Sequence, residues 1–341
     1  MIIPFLLGIG VLLLLQAQRF ETVAQKQFLM GTFVEVKVIG EDRAELERAI
    51  NAAFNEIKRI EHQMSRQGDG ELGKVNREAA SQPVSISDEL LFVLQEALEY
   101  KALTEGKFDV SIGNVVDAWG FKEDWDGVGR VPSREELEAL LTPSRDIIID
   151  PANKTVQFSS AAVEIDLGGI AKGYAVDRAI EVLKAHKIKG ALVNAGGNIR
   201  VYGQRPESFL YFFERRRPFV IGIQHPRKED AVLGAIELQD DMAVATSGDY
   251  QRYFFKDGIR YHHIFDPHTG RPANEAISAT VIAPTAIEAD ALSTAVFVLG
   301  PQKGMELIEK LEDVEGIIVT PEGKIFKSSG FRGAKLPAEL P

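Results

Sequence analysis

A predicted helix near the C-terminal end of the chain carries a carboxylate and two hydroxyls that could bind a metal ion. Thr285 and Glu288 form the pattern of a capping box, which predicts that a helix begins directly after Thr285. Asp290 and Thr294 are four residues apart and therefore share one face of that helix, with Ser293 beside them. Hard oxygen ligands of this kind favour magnesium. The alternative is a core helix whose small polar side chains bond to the preceding turn.

A second stretch, residues 163–177, has the pattern of an anion-binding turn. Its sequence predicts a strand, a turn at Gly168 and Gly169, and a helix that continues to about residue 186. Adjacent glycines let the backbone approach a ligand, a helix N-terminus offers N–H groups to an anion, and Lys172 adds a positive charge. These features predict a pyrophosphate cradle, and a second glycine turn at residues 194–198 indicates one shared crevice. The alternative is that Gly168 and Gly169 form only a tight turn.

Two adjacent histidines lie in residues 261–270, a segment predicted to be a strand that runs into an Asp-Pro turn. Neighbouring strand residues point to opposite faces, so either His262 or His263 can face a cleft as a general base. A zinc site is disfavoured, because adjacent strand histidines do not easily share a metal and the chain has neither an HExxH motif nor cysteine. A pair of structural histidines is the remaining alternative.

The elements that must position these residues can be predicted from hydrophobic periodicity. Residues 28–38 have the composition of a strand, residues 43–64 and 87–105 of amphipathic helices, and residues 147–159 of a hairpin. A strand-rich second half is predicted to end at Gly300. The segment from Arg205 to Pro218 is predicted to be an inserted loop, with the basic run 215–217 at the surface.

Composition limits the function classes. The chain has 341 residues, enough for one large domain or two lobes. The net charge of −11 and the lack of a basic patch with interleaved aromatics exclude a nucleic-acid partner. The chain has no cysteine, which excludes disulfides, thiolate metal sites, cysteine nucleophiles and a lipobox anchor.

The N-terminus is the main indication of location. Residues 2–15 are almost wholly apolar, which is short for a spanning helix but typical of a signal-peptide core or short anchor. We therefore expect residues 1–20 to be a signal peptide or N-terminal membrane anchor, and the protein to act at the extracytoplasmic face of the membrane. The alternative is a buried N-terminal helix of a cytosolic protein. Residues 25–330 are expected to form the functional domain, and residues 331–341 a flexible tail.

From about Phe28 to Gly300 the chain resembles the ApbE family of FAD:protein FMN transferases, also called flavin transferases. The matching blocks occur in the family's order and with family-like spacing, which makes the set far more specific than any one block. They are residues 30–32 (MGT), 108–110 (FDV), 119–121 (WGF), 166–174 (DLGGIAKGY), 194–198 (NAGGN), 222–227 (GIQHPR), 246–248 (TSG), 263–270 (HIFDPHTG) and 290–294 (DALST).

The resemblance implies a fold and a reaction. The fold would be α+β, with mixed or antiparallel sheets and flanking helices around a central flavin cleft. The family takes FAD and Mg²⁺ and moves FMN onto a threonine or serine of an acceptor protein, leaving AMP. The acceptor would be a subunit of a membrane redox complex or an exported flavoprotein, and the enzyme could associate with the membrane through its N-terminus.

The resemblance also assigns roles by position. His263 matches the family's general base. Metal-binding positions are matched by Asp290, Ser293, Thr294 and the carbonyl of Gly169. FAD-contacting positions are matched by Met30, Phe108, Asp109, Asp166, Lys172 and Ile264.

Some positions depart from the family pattern. After Met64 and Ser65 the family often has an aromatic residue, whereas this chain has Arg66 and Gln67, so one flavin-stacking residue is expected to be missing. Phe219 occupies a position that is commonly Trp. Two rival functions use the same residues: a metal-dependent FAD pyrophosphatase that releases FMN and AMP, and a non-catalytic exported flavin-binding protein. The second is disfavoured because binding alone needs no general base.

Overall fold

An eight-stranded sheet, antiparallel throughout, forms the centre of the computed structural model, with strand order β1-β2-β6-β7-β12-β17-β18-β19. The structure describes residues 20–122, 125–141, 146–209, 213–332, 336–337 and 339–340. The α+β class and the antiparallel sheets expected from the sequence are confirmed.

The elements of the described residues have the following bounds. The helices are α1 (Arg43–Met64), α2 (Glu71–Glu78), α3 (Asp88–Leu103), α4 (Gly113–Ala118), α5 (Arg134–Leu140), α6 (Ala171–Lys184) and α7 (Ala286–Ile308). The strands are β1 (Glu21–Leu29), β2 (Thr32–Gly40), β3 (Val84–Ser85), β4 (Ile147–Asp150), β5 (Thr155–Phe158), β6 (Gly190–Ala195), β7 (Asn198–Gly203), β8 (Arg205–Phe209), β9 (Phe213–Arg217), β10 (Phe219–Gln224), β11 (Val232–Leu238), β12 (Ala243–Gly248), β13 (Tyr253–Lys256), β14 (Ile259–His262), β15 (Phe265–Asp266), β16 (Arg271–Pro272), β17 (Ser278–Ala283), β18 (Glu315–Val319) and β19 (Ile325–Lys327).

Three of the predicted helices begin where a side chain caps the first turn, whereas α6 begins without a side-chain cap. Helix α1 has the predicted bounds, and the carboxylate of Asp42 accepts from Ala44 N at 2.9 Å. Ser87 caps α3 in the same way. The hydroxyl of Thr285 accepts from Glu288 N, so α7 begins directly after Thr285 as predicted. Gly300 interrupts α7 with a φ of 76° where the strand-rich half was expected to end, and helix continues beyond it.

The single strand predicted over residues 28–38 is wrong, because the chain reverses at Met30 and Gly31. Strands β1 and β2 pair across this two-residue turn, with φ values of 52° for Met30 and 68° for Gly31. Positive φ at both central residues is the geometry that suits the twist of a tight hairpin. The turn at Gly196 and Gly197 has the same character, with φ values of 61° and 98°.

The strand predicted before the Gly168–Gly169 turn is also absent from the structure. Residues 163–167 form an extended segment with one parallel bridge, between Ile112 and Glu164. Its backbone bonds to side chains and loops instead of a sheet: Ile165 N donates to the side chain of Asn76 at 2.8 Å, and Asp166 N donates to Val110 O at 2.8 Å. These partners satisfy the buried backbone without a strand neighbour.

The segment 205–218, predicted to be a loop, is mostly a hairpin. Strands β8 and β9 pair in antiparallel register from Arg205 with Arg217 to Phe209 with Phe213. Residues 210–212 lie outside the described residues. The exposed position of Arg217 agrees with the surface location expected for the basic run.

Each face of the large sheet is covered by a different layer. Helices α1, α6 and α7 pack on one face, where valines of β2 and isoleucines of α1 are fully buried. Hydrophobic side chains of the β10–β11 pair cover residues of the other face, including Val201 and Ile317. Burial on both faces explains why the sheet residues are mostly apolar rather than strictly alternating.

Helices α6 and α7 are joined by two reciprocal contacts. The carboxylate of Asp177 in α6 accepts from Ala286 N and Ile287 N at the start of α7, at 2.8 and 2.9 Å. In return, Gly173 N in α6 donates to the carboxylate of Asp290 in α7 at 2.9 Å. A Cβ on Gly173 would lie 2.2 Å from Ala286 O, so only glycine allows this approach.

At each chain terminus the described residues cover only part of an expected segment. The sheet begins at Glu21, four residues before the expected domain start, and of the expected signal peptide or anchor, residues 1–20, only Phe20 is among the described residues. Within the described part of the chain, none of the helices has the length and apolar character that a membrane crossing requires. In the expected flexible tail, the described residues Leu336 and Leu340 pack on the second core, and Leu340 N donates to Gly323 O at 2.8 Å.

We predict that Gly173→Ala lowers the free energy of unfolding by about 1–3 kcal/mol, although alanine favours helix more than glycine. The added methyl group must separate two helix backbones. Gly316→Ala is the control, because its Cβ would meet its neighbours at 3.4 Å or more. Urea unfolding of both variants checks the prediction, and equal midpoints would contradict it.

Candidate functional site

A cavity of about 510 Å³ opens where the β1–β2 and β6–β7 turns meet. The two turns lie at the same end of the sheet, because β2 and β6 pair in antiparallel register from Val34 with Ala195. Gly31 and Gly196 line the cavity from the sheet, and Asp290 lines it from α7. The end of the sheet, the first turn of α6 and the side of α7 therefore enclose one space.

The structure brings together all of the predicted site residues except Ser293. Those that line the cavity are Met30, Phe108, Asp109, Asp166, Gly169, Lys172, His263, Ile264, Asp290 and Thr294. The shared crevice predicted from the two glycine turns is present as well, since residues of both turns line the same cavity.

The hydroxyl of Ser293 is used inside the protein. It donates to Asp290 O at 3.0 Å and lies 2.9 Å from the hydroxyl of Ser247 on β12. Ser247 lines the cavity, whereas Ser293 is 1% exposed and does not. Ser293 thus bonds to Ser247 and to the helix backbone and does not line the cavity, although the resemblance matches it to a metal-binding position.

Asp290 and Thr294, four residues apart on α7, line one corner of the cavity. Asp290 is 3% exposed, and burial raises the pKa of its carboxyl, while Lys172 and the Gly173 N–H oppose that rise. A Cβ on Gly169 would lie 3.3 Å from the Thr294 hydroxyl, so the backbone of Gly169 runs directly against it. A desolvated carboxylate beside a hydroxyl and a main-chain segment favours a bound cation.

The chemistry of these donors suits one hard cation. Among the described residues, no three His, Cys, Asp or Glu side chains come together in a metal-binding cluster. The side chains at this corner offer one carboxylate and one hydroxyl, both hard oxygen donors, and the backbone of Gly169 lies next to them. Magnesium commonly binds through one or two carboxylates with phosphate oxygens and water completing its shell, so a set this small fits it.

The Gly168–Gly169 turn differs in one respect from the predicted anion cradle. Two N–H groups at the start of α6 are already used, because Ala171 N donates to Leu167 O at 2.8 Å and Gly173 N donates to Asp290. Positive charge is supplied by Lys172, whose Nζ donates to Gly168 O at 2.5 Å and lies 3.9 Å from the Asp290 carboxylate. The ammonium of Lys172, rather than the N–H groups of the turn, is therefore the main group here that would attract an anion.

The two histidines face different surroundings, as predicted, but the predicted strand is interrupted between them: β14 ends at His262, and His263 lies in a bend before β15. His262 is 5% exposed, its Nε2 donates to Ala273 O at 2.8 Å, and its ring packs edge-on against Phe297. His263 lines the cavity, and its Nδ1 lies 3.2 Å from Arg252 O. A carbonyl only accepts, so Nδ1 of His263 carries the proton and Nε2 keeps a lone pair.

Burial sets the charge of His263. It lowers the pKa of the imidazole to about 3, and the nearby His262, Arg252 and Lys172 act in the same direction. The ring is therefore neutral at pH 7 and able to accept a proton at Nε2.

Arg66 also lines the cavity. The sequence indicated only that it stands where the family often has an aromatic residue, and did not indicate its role. Its guanidinium is 3% exposed and forms ion pairs with Asp117 at 2.5 Å, Glu164 at 2.9 Å and Asp166 at 3.2 Å. These pairs fix Asp166, one of the positions matched to FAD contacts. The signal in the sequence was a charged residue where the family often has an aromatic one, but the partners Asp117 and Glu164 are 51 and 98 residues away.

The remaining matched positions are held in different ways. Phe108 is buried and lies edge-on to Tyr100, with ring centroids 6.2 Å apart. Asp109 pairs with Lys101 at 3.1 Å. Met30 has a left-handed backbone and its N–H donates to Glu61, which is the kind of strained conformation that clusters at functional sites.

Comparisons with known proteins agree with this geometry. The sequence model of the ApbE family matches residues 30–318. The FAD:protein FMN transferase of Treponema pallidum is 32% identical over 323 residues, which is 92% of this chain and 88% of the relative. That of Vibrio cholerae serotype O1 is 34% identical over 313 residues, covering 89% and 90% of the two chains.

Among solved structures, the ApbE protein of Thermotoga maritima has a TM-score of 0.80 at 35% identity, covering 91% of this chain and 97% of the other. The flavin transferase ApbE of Vibrio cholerae has a TM-score of 0.79 at 32% identity, covering 92% and 99%.

We predict that His262→Ala lowers the free energy of unfolding by about 2–4 kcal/mol, because it removes a buried hydrogen bond and the packing against Phe297. His263→Ala is expected to change it by less than about 1 kcal/mol, since the ring faces a cavity. Chemical denaturation of both variants checks this order. A larger loss for His263→Ala would contradict the assignment of His262 to the core.

Proposed function

The chain belongs to the ApbE family and transfers FMN from FAD to protein; we propose that Asp290, Thr294 and the Gly169 carbonyl bind magnesium for this transfer and that His263 is the general base. The observation that carries the proposal is that a neutral imidazole faces the same cavity as a buried carboxylate and a lysine. That combination can hold a pyrophosphate and accept a proton from an attacking hydroxyl.

The metal-binding part rests on the fit of the oxygen donors. Asp290 and Thr294 share one face of α7, and Gly169 approaches Thr294 from the start of α6. Bound there, magnesium would neutralise pyrophosphate charge and help AMP to leave. Ser293 is not included among the ligands, because its hydroxyl is bonded to Asp290 O and lies against Ser247.

The transfer itself needs few protein groups. The acceptor hydroxyl oxygen forms a bond to the FMN phosphorus, and the bond from that phosphorus to the AMP phosphate oxygen breaks. The hydroxyl proton goes to Nε2 of His263, which is free to accept it because Nδ1 faces Arg252 O. Lys172, placed between Gly168 O and the Asp290 carboxylate, binds the pyrophosphate as a counter-charge.

Two further aspects remain predictions from the sequence. Export to the extracytoplasmic face, with possible anchoring through residues 1–20, follows from the apolar segment alone. If the protein is exported, its acceptor is a membrane redox-complex subunit or an exported flavoprotein that presents a Thr or Ser hydroxyl.

Hydrolysis of FAD by water is the second candidate, because the same residues would serve both reactions. Incubation of the purified protein with FAD, Mg²⁺ and a candidate acceptor distinguishes them. Transfer gives a fluorescent flavin band on the acceptor in a denaturing gel, together with AMP. Hydrolysis gives free FMN and AMP with an unlabelled acceptor, and a protein that only binds flavin gives neither.

We predict that His263→Ala reduces the rate of FMN transfer by about 10²–10⁴-fold, because the hydroxyl loses its general base. FAD affinity, measured by quenching of flavin fluorescence, should stay near the wild-type value. His263→Gln is the matched variant, since it keeps a polar side chain but has no basic nitrogen. Wild-type rates in both variants would mean that another group takes the proton.

We predict that Asp290→Asn removes the stabilisation by Mg²⁺. In the presence of FAD, a magnesium concentration of about 100 times its Kd should stabilise the wild type by about 2.7 kcal/mol. The variant keeps an acceptor for Gly173 N but loses the charged ligand. Thermal unfolding with and without Mg²⁺ measures this effect independently of turnover.

Asp257→Asn is the control for the metal prediction, because Asp257 is exposed and does not line the cavity. Its melting temperature should rise with Mg²⁺ as in the wild type. An equal rise for Asp290→Asn would place the metal elsewhere.

A further inference from the structure

Arg252 extends its guanidinium into the cavity, in the short segment between β12 and β13. A Cβ on Gly31 would lie 2.4 Å from Nη2 of Arg252, so the guanidinium lies directly over the backbone of the β1–β2 turn. Gly31 has a φ of 68° and no side chain, and both features leave space for the arginine. The guanidinium is thus held at the cavity wall by the shape of the turn.

Among the described residues, Arg252 differs from the other cavity cations because no carboxylate is paired with its charge. Arg66 pairs with three carboxylates, Lys107 pairs with Asp266 at 2.8 Å, and Lys172 lies 3.9 Å from Asp290. Within the described parts of the chain, no carboxylate pairs with the guanidinium of Arg252, and it donates no hydrogen bond. A half-buried guanidinium with unused donors is a ready site for an anion with several oxygens.

The position of Arg252 beside the general base identifies which part of an anion it can reach. Its own carbonyl accepts from His263 N and lies against His263 Nδ1, both at 3.2 Å. Its positive charge also contributes to the low pKa of His263. Lys172 lowers that pKa as well, but by less than Arg252, and its ammonium lies at the corner of Asp290 and Gly168. One cation therefore stands beside the base and the other beside the candidate metal ligands.

From this placement we propose that the guanidinium of Arg252 binds the non-bridging oxygens of the FMN phosphate while the acceptor hydroxyl attacks it. The inference rests on the proposed transfer function. The base must lie next to the attacking oxygen, and that oxygen must lie next to the phosphorus it attacks, so a cation beside the base reaches the phosphoryl group being transferred. Lys172 then serves the AMP side, where the bond breaks.

Such a contact acts mainly in the transition state. As the oxygen–phosphorus bond forms and the bond to AMP breaks, charge spreads over the non-bridging oxygens, and a preplaced guanidinium stabilises it without reorganisation. Loss of one such donor typically lowers turnover by about 10²–10³-fold. A donor that served only ground-state binding would instead change substrate affinity.

The experiment compares Arg252→Ala, Arg252→Gln and Arg252→Lys with the wild type. Transfer rates are measured at saturating FAD with in-gel flavin fluorescence, and the Kd for FAD is measured by quenching of flavin fluorescence. We expect Arg252→Ala and Arg252→Gln to lose about 10²–10³-fold in kcat, with the Kd changed by less than about fivefold. Arg252→Lys should have a kcat between those of Arg252→Gln and the wild type, because lysine keeps the positive charge but cannot donate in a bidentate geometry.

Arg271→Gln is the matched control, because Arg271 is exposed, does not line the cavity and loses the same charge. It should keep wild-type kcat and Kd. Wild-type kcat in Arg252→Gln, or a rate loss fully accounted for by weaker FAD binding, would overturn the role of Arg252. If the wild type released FMN and AMP without labelling the acceptor, the proposed transfer would be wrong, and the same comparison on hydrolysis would still test Arg252.

Discussion

The close approach of α6 and α7 at Gly173 is the contact on which the site depends. Asp177 in α6 binds the first N–H groups of α7, and Asp290 in α7 binds an N–H group of α6, so each helix fixes the start of the other. Asp177 itself is buried and paired with Arg200 at 2.8 Å, which offsets the cost of its burial. Because Asp290 and Lys172 extend from these two helices, a shift between the helices would separate the proposed metal ligand from the proposed pyrophosphate cation.

The charged side chains of the cavity differ in how fully they are paired with other protein groups, and this decides which of them can bind a ligand. Arg66 is fully committed to carboxylates and acts as part of the scaffold, since it orients Asp166. Arg252 has no such partner among the described residues, and Asp290 is desolvated with only Lys172 nearby. An anion with a bound divalent cation would complement both groups, and FAD with magnesium has that charge pattern. Burial is the main reason why His263 is neutral, and the cations that line the cavity add to it, because they disfavour a further positive charge.

Several parts of the fold could be predicted from local sequence because a local rule decides them. The bounds of α1, the cap of α7 by Thr285 and the opposite faces of His262 and His263 all followed from spacing. Where a short-range pattern was ambiguous, the prediction failed. The strand expected over residues 28–38 contains a turn, because Met30 adopts a positive φ that apolar residues rarely take. The strand expected before Gly168 did not form, because loops and the side chain of Asn76 satisfied its backbone.

By itself, the sequence determined which residue types were available for the chemistry and which of them share a helix face or follow a strand, since these depend on neighbours a few positions apart. The order of its motifs also determined the family. Only the tertiary structure decided which polar groups are free for a ligand. Gly173 and Asp290 are 117 residues apart, and Arg66 and Glu164 are 98 apart, so no local pattern reveals that they are bonded. The position of Ser293 outside the cavity, and the lack of a described carboxylate partner for Arg252, are decided in the same way, by how distant segments pack together.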